Sequence, residues 1–204
     1  MYRRIPALAV AALVLALFAC TANSPSPPPA SLPPLPYTCP PTPGSQFTTP
    51  YPCTSAEHSV NNERLERDAL EAEATALYQR FAKEVTRLEW SGGTTAMTPE
   101  LDATTEYPLK GEVLEYLSDQ KNAGEVLKGP EPRLSWKVLK DERREGSLVT
   151  LRTCEDMRGA ILHGSDGAEL GRGRVVVGKR YFKRFDGVLK IFFTSLERTD
   201  ACPF

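Results

Sequence analysis

The chain has 204 residues, 41% of them hydrophobic and 25% charged, enough for one or two domains with a packed core. Twenty-five basic residues against 26 acidic ones leave a net charge of -1. That balance excludes a nucleic-acid binder recognised by overall charge, and no nucleic acid is expected as a partner.

Residues 1–19 read as a signal segment. Met1-Tyr2-Arg3-Arg4 is a short basic start, and Ala7 to Ala19 is an uninterrupted apolar run. The run falls short of the roughly 20 residues that span a bilayer and fits the core of a secretory signal. It ends in Leu17-Phe18-Ala19-Cys20. An aliphatic residue three before the cysteine and a small one directly before it resemble the lipobox of bacterial lipoproteins. The resemblance implies that Cys20 is acylated and becomes the N-terminus, tethering the chain to the outer side of the cytoplasmic membrane. Arg3-Arg4 also raises the twin-arginine export route; Ile5-Pro6-Ala7 fits that motif poorly, so general secretion is favoured.

Residues 20–56 read as a linker. Twelve of the eighteen prolines lie between Pro25 and Pro52, and the segment carries no charged residue. Proline fixes φ and removes an amide donor, so neither helix nor central sheet is expected. Extended polyproline-like chain from Cys20 to Cys39 spans on the order of 60 Å at about 3.1 Å per residue. A spacer lifting a domain off the membrane is the expected use.

The composition changes at Glu57, and residues 57–204 suffice for a single core. With Cys20 committed to lipid, four cysteines remain in an oxidising compartment. They allow three pairings. Cys39 with Cys53 and Cys154 with Cys202 is the simplest, closing one loop in the linker and one in the domain.

Glu57 to about Glu89 is expected to be helical. Leu70, Ala74, Leu77, Phe81, Val85 and Leu88 recur at steps of three and four, with Tyr78 at the margin of that stripe. Gly92-Gly93 ends it. Thr98-Pro99 reads as a cap with proline at the first helical position. A further helix is expected near Leu109 to Asn122. After Gly129-Pro130 the period changes: Leu134, Trp136 and Val138 alternate with polar residues, as in a half-buried strand. Ser147 to Asp156 and Met157 to His163 are read as two more strands. Arg172 to Phe185 and Val188 to Glu197 are read as a hairpin around Asp186-Gly187. Helices followed by a meander of antiparallel strands make an α+β fold, a curved sheet against helices.

A long first helix ending in Gly-Gly, a middle helical segment, Cys154-Glu155-Asp156 on a strand, the Asp186-Gly187 turn and a terminal cysteine together resemble the nuclear transport factor 2-like superfamily, with its cystatin-like cone. More narrowly they resemble its actinobacterial secreted lipoproteins. The resemblance covers about residues 65–204. It implies N-terminal helices packed on a curved antiparallel sheet around a cone. Members include acid–base enzymes as well as non-catalytic modules, so the fold alone does not choose.

Few residues point to catalysis. His58 lies at the polar start of the first helix, and His163 precedes a turn. Asp156 is read as bonding its adjacent turn. Tyr78, Tyr116 and Tyr181 are read as packing residues with wet hydroxyls. No paired Cys or His stands at ligand spacing, so neither a metal nor another cofactor is expected. Gly171-Arg172-Gly173 and Gly178-Lys179-Arg180 complete no phosphate-binding fingerprint. From Arg172 to Lys190 there are seven basic residues against Asp186 alone. Lys179, Arg180, Lys183, Arg184 and Lys190 are therefore a candidate anion-binding patch, or else a solvated face balanced by acids such as Glu66, Asp68, Glu71 and Glu73 on the first helix. Phe81, Trp136, Phe193 and Tyr78 are the candidate lining of a cone cavity. The expected function is a non-enzymatic binding or scaffold module of the cell envelope with an unknown envelope partner. The alternatives are a carrier of a small apolar ligand and an isomerase- or lyase-type enzyme.

Overall fold

The computed structural model describes Leu35 and residues 37–204. The expectations placed on residues 1–19, on Cys20 and on the first part of the linker lie outside them.

The linker does not run extended as far as Ala56. Tyr37–Cys39 (β1) and Tyr51–Cys53 (β2) pair antiparallel, Tyr37 opposite Cys53, in a two-stranded sheet. Both strands are edges, which is why Pro52 is tolerated. The Cys39–Cys53 disulfide, 5.8 Å between Cα atoms, closes the hairpin, and both cysteines are buried. Phe47 stacks on Tyr51 within the loop, and the Tyr37 ring lies 4.9 Å from that of His58.

Helix α1 is Ser55–Trp90, starting two residues before the expected boundary. Thr54 and Glu57 form a reciprocal capping box, and those bonds hold the Glu57 carboxyl below its usual range. The stripe buries Ala74, Leu77, Phe81 and Leu88, and Tyr78 lies fully inside the core rather than at its margin. Gly92 and Gly93, with φ of +78° and +77°, turn the chain. A Cβ at Gly93 would collide with the Leu117 carbonyl, so only glycine lets the next helices approach. Helix α2, Pro99–Thr104, is capped by Thr98, whose hydroxyl accepts from Leu101 N and donates to Glu84 on α1 at 2.7 Å. Helix α3 is Leu109–Ala123 and ends at Gly124 in the left-handed conformation.

Seven strands follow: β3 Val126–Lys128, β4 Arg133–Val138, β5 Val149–Asp156, β6 Ile161–His163, β7 Glu169–Arg172, β8 Val175–Phe185 and β9 Val188–Thr199. They divide into a four-stranded sheet, β4-β5-β8-β9, and a three-stranded flap, β3-β6-β7, antiparallel throughout. Two expected strands are thereby corrected. Met157 to Ala160 is a turn, leaving only β6. The Arg172–Phe185 run breaks at Gly173, whose backbone packs so tightly on the Met157 carbonyl that no side chain fits. The β8–β9 hairpin turns at Asp186-Gly187 as read, both with positive φ.

The fold is α+β. One face of the four-stranded sheet carries Val149, Leu151, Phe182, Leu189 and Ile191 against α1, α2 and α3, with Leu134, Trp136 and Val138 packed alongside. On the other face Cys154, Val175 and Val177 form a small cluster beside Cys202. The Cys154–Cys202 disulfide pins the C-terminal tail there. Among the described residues no helix is long and apolar enough to cross a membrane.

Candidate functional site

A cleft of about 690 Å³ opens between the helices, the flap and the helix-facing side of the sheet. Its volume lies within the range of small-molecule sites. Phe81 and Val85 of α1, Val113 of α3, Leu127 of β3, Leu162 of β6 and Leu196 of β9 make its walls apolar.

The floor is polar. Glu89, in the last turn of α1, is only 6% exposed. It falls eight residues after Phe81 and four after Val85, on the stripe that faces inward. It accepts from the Tyr116 hydroxyl of α3 at 2.6 Å, while Gln120 donates to its main-chain carbonyl at 2.9 Å. Burial pushes the Glu89 carboxyl up to about 7; the Tyr116 hydrogen bond opposes that rise and the Glu155 charge adds to it. Tyr116 as a residue is 52% exposed while its hydroxyl turns inward to Glu89. Burial, with the Glu89 charge, raises the Tyr116 phenol well above its ordinary range.

Beside this pair stands a second. Alternation along β5 and β8 turns Glu155 and Arg180 toward the helices. Arg180 is 4% exposed, donates to Glu155 and lies 5.0 Å from the Phe81 ring centre and 5.2 Å from that of Tyr78. Tyr78 also donates to Glu155, at 3.2 Å. Among the described residues Arg180 Nε is buried without a partner. The floor thus combines a carboxyl able to hold or release a proton near neutrality with an ion pair whose arginine is buried. It can meet a hydroxyl or carbonyl group at the inner end of an otherwise apolar ligand.

The expected lining is corrected at three of four positions. Phe81 lines the cleft. Tyr78 and Trp136 fill the core instead, edge to face at 6.0 Å. Phe193 lies near Tyr181 on the opposite face of the sheet, with the Arg144 guanidinium 3.5 Å over its ring. A β-bulge at Phe192, where the β8–β9 register shifts between Tyr181 and Phe182, breaks the alternation of β9 and turns Phe193 outward with Tyr181. Tyr181 there donates to Glu142 at 2.7 Å.

The candidate anion patch does not come together, because alternation sends its members to two faces. Lys179 pairs with Glu142 at 2.7 Å on the outer face. Arg184 pairs with Glu73 of α1 at 2.6 Å, Lys190 with Glu106 at 3.3 Å, and Arg180 with Glu155. Lys183 stands opposite Lys190 and donates to the Glu145 carbonyl at 3.4 Å. The balancing acids are present, Glu73 among those foreseen. Arg172 and Arg174, part of the basic run but not of the candidate patch, lie at the mouth of the cleft with Arg198, to which the sequence did not point.

The histidines stand apart from the cleft. His163 is bonded to the Gly167 carbonyl at 3.1 Å in the β6–β7 turn, and His58 to Asn62 at 3.3 Å. Asp156 binds the Arg158 side chain and backbone, as read, and those bonds hold its carboxyl down at about 2. Among the described residues no three His, Cys, Asp or Glu side chains converge as metal ligands. Glu89 and Glu155 were missed, although both carried a signal. One is a charge on the apolar stripe of a helix, and the other continues the inward alternation of Val149, Leu151 and Thr153.

The chain matches no protein-family model and no curated protein.

Proposed function

We propose that this chain is a lipid-anchored envelope protein with a nuclear transport factor 2-like cone, which binds a small, largely apolar ligand on the outer side of the cytoplasmic membrane. The anchor rests on the lipobox pattern at Cys20. The cone rests on the order of helices and strands. Ligand binding rests on one observation, the 690 Å³ cleft with apolar walls and a polar floor. A purely scaffolding module has no need of such a space, so carrying a ligand is preferred to scaffolding alone.

The test is native mass spectrometry of the processed, disulfide-intact chain after incubation with an envelope extract. An added mass in the range of lipids or metabolites is expected. A bare protein mass after every extract tried would return the reading to a protein-binding module.

One observation favours a second reading, acid–base catalysis. Glu89, buried at the floor of the cleft beside a tyrosine, has a carboxyl near 7. Glu89→Gln separates the two readings. A carrier keeps its ligand unchanged in that variant, whereas an enzyme keeps binding and stops converting it.

A further inference from the structure

We propose that the ligand is an anion-headed amphiphile, an alkyl or acyl chain ending in a carboxylate or phosphate. Its chain lies in the cleft and its head group on Arg172, Arg174 and Arg198. The proposal rests on the ligand-binding reading above and names the class of ligand.

The three arginines come from two adjoining segments. Arg172 is the last residue of β7, and Arg174 leads into β8 two residues later. Arg198 lies on β9 opposite Val176, whose side chain lines the cleft. All three line the mouth and are exposed. Elsewhere most guanidinium groups are claimed by carboxylates: Arg64 by Asp68, Arg80 by Glu100, Arg87 by Glu84, Arg158 by Asp156, Arg184 by Glu73. Among the described residues Arg172, Arg174 and Arg198 make no ion pair and no side-chain hydrogen bond.

The acids nearby do not cancel them. Glu197 also borders the cleft, but its carboxylate leans to Arg152 at 3.8 Å. Glu112 stands across the cleft on α3. Three uncompensated guanidinium groups repel one another, and the arrangement is relieved by an anion that accepts from their planar donors. Carboxylate and phosphate oxygens have that geometry.

Between these charges and the interior the surface is apolar. Leu170 and Leu196 are each 54% exposed at the mouth, and Leu162, Val176, Val85 and Phe81 continue inward. Cations at the mouth and apolar walls behind them are the complement of an amphiphile entering tail first. The inner end does not oppose it with full charge. Glu89 is largely protonated below neutrality, and Glu155 is paired with Arg180.

The test uses the purified full chain carrying Cys20→Ser, so that no acyl group of its own competes for the cleft. A neutral naphthyl dye is displaced by dodecanol, dodecanoate or dodecyl phosphate, each below its micelle threshold and at about 0.1 M salt. Both anions are expected to displace the dye at concentrations at least about tenfold lower than dodecanol, a preference that charge-assisted hydrogen bonds supply. The triple variant Arg172→Gln, Arg174→Gln, Arg198→Gln is expected to erase that preference while binding dodecanol as before, which also shows that it is folded. The stronger of the two anions names the source, a fatty acid for the carboxylate and a phospholipid-derived molecule for the phosphate. Equal displacement by all three compounds overturns the head-group site and leaves the cleft reading standing. Failure of the dye and of every chain to bind overturns both.

Discussion

At Glu89 a carboxyl group is buried on the face of α1 that otherwise carries Phe81 and Val85. Its folded pKa of about 7 lies above the 4.5 of an exposed glutamate. Below about pH 4.5 both folded and unfolded chains hold the proton, and the burial costs nothing through ionisation. Between 4.5 and 7 the unfolded chain releases the proton and the folded chain keeps it. Stability therefore falls as pH rises through that window, by on the order of 3 kcal/mol in all. The lowered carboxyls, Asp156 among them, act in the opposite sense and at lower pH. Glu89→Gln keeps an acceptor for Tyr116 and removes the titration. Urea unfolding is expected to show variant and parent alike near pH 4.5, with the variant gaining on the order of 2–3 kcal/mol by pH 8. Parallel stability curves across that range would refute the assignment. The Arg180–Glu155 pair makes a related case. Arg180→Met leaves the half-buried Glu155 near Glu89 without its cation, and a loss of roughly 2 kcal/mol at pH 8 is expected. Adding Glu155→Leu to Arg180→Met should recover most of it, which a simple packing defect would not.

Helix α1 was legible because its period holds over many turns, and α2 because Thr98-Pro99 is a local start signal. The β8–β9 hairpin was legible because Asp186-Gly187 supplies the two positive φ angles that a tight turn needs. The β1–β2 hairpin was not. Three residues per strand give no alternation, and the prolines around it speak for extended chain; only the Cys39–Cys53 pairing, a closure over 14 residues, was readable. The break between β7 and β8 was hidden for another reason. Gly173 is required by its contact with Met157, a neighbour sixteen positions earlier in the sequence. In the site, each charged residue was readable on its own element. Their convergence depends on the β5–β8 register, which sets Arg180 opposite Leu151 on the face that meets the helices, and on the packing of α1 and α3 over that face. Gly93 tests the same distinction between local and non-local demands. Gly93 and Gly167 have φ of +77° and +81°, but a Cβ at Gly167 meets nothing within 4 Å. Gly167→Ala is expected to cost about 1 kcal/mol, the strain of the left-handed backbone alone. Gly93→Ala should cost at least about 2 kcal/mol more, since α1 and α3 must separate. Equal losses of melting temperature in the two variants would contradict that account.

Across the whole molecule the two disulfides act at different ranges. Cys39–Cys53 closes a separation of 14 residues, and Cys154–Cys202 closes one of 48. Among the described residues the first sits in a hairpin that packs on α1, with the Tyr37 ring on His58, ahead of the stripe that begins with Leu70 and Ala74. The second joins β5, an inner strand of the main sheet, to the last residues of the chain. Alternation on β5 places Cys154 on the outer face and its neighbour Glu155 on the floor of the cleft, so one strand serves both the tail and the site. Loop-closure entropy gives the longer bridge about 4 kcal/mol of stabilisation, spread over everything that unfolds with the sheet. The shorter bridge closes a loop that orders only its own hairpin, so its effect stays local. Cys39→Ser with Cys53→Ser is therefore expected to speed hydrogen exchange in residues 37–69 and leave it unchanged in β5, β8 and β9. Cys154→Ser with Cys202→Ser is expected to lower global stability by about 4 kcal/mol and to raise exchange in every strand of the main sheet together. Its fall in stability with rising pH between 4.5 and 7 should persist, because α1, α3 and the inner face of β5 still bury Glu89. A loss of that pH dependence along with the tail would mean that the bridge, and not the packing of the helices, keeps the cleft in shape.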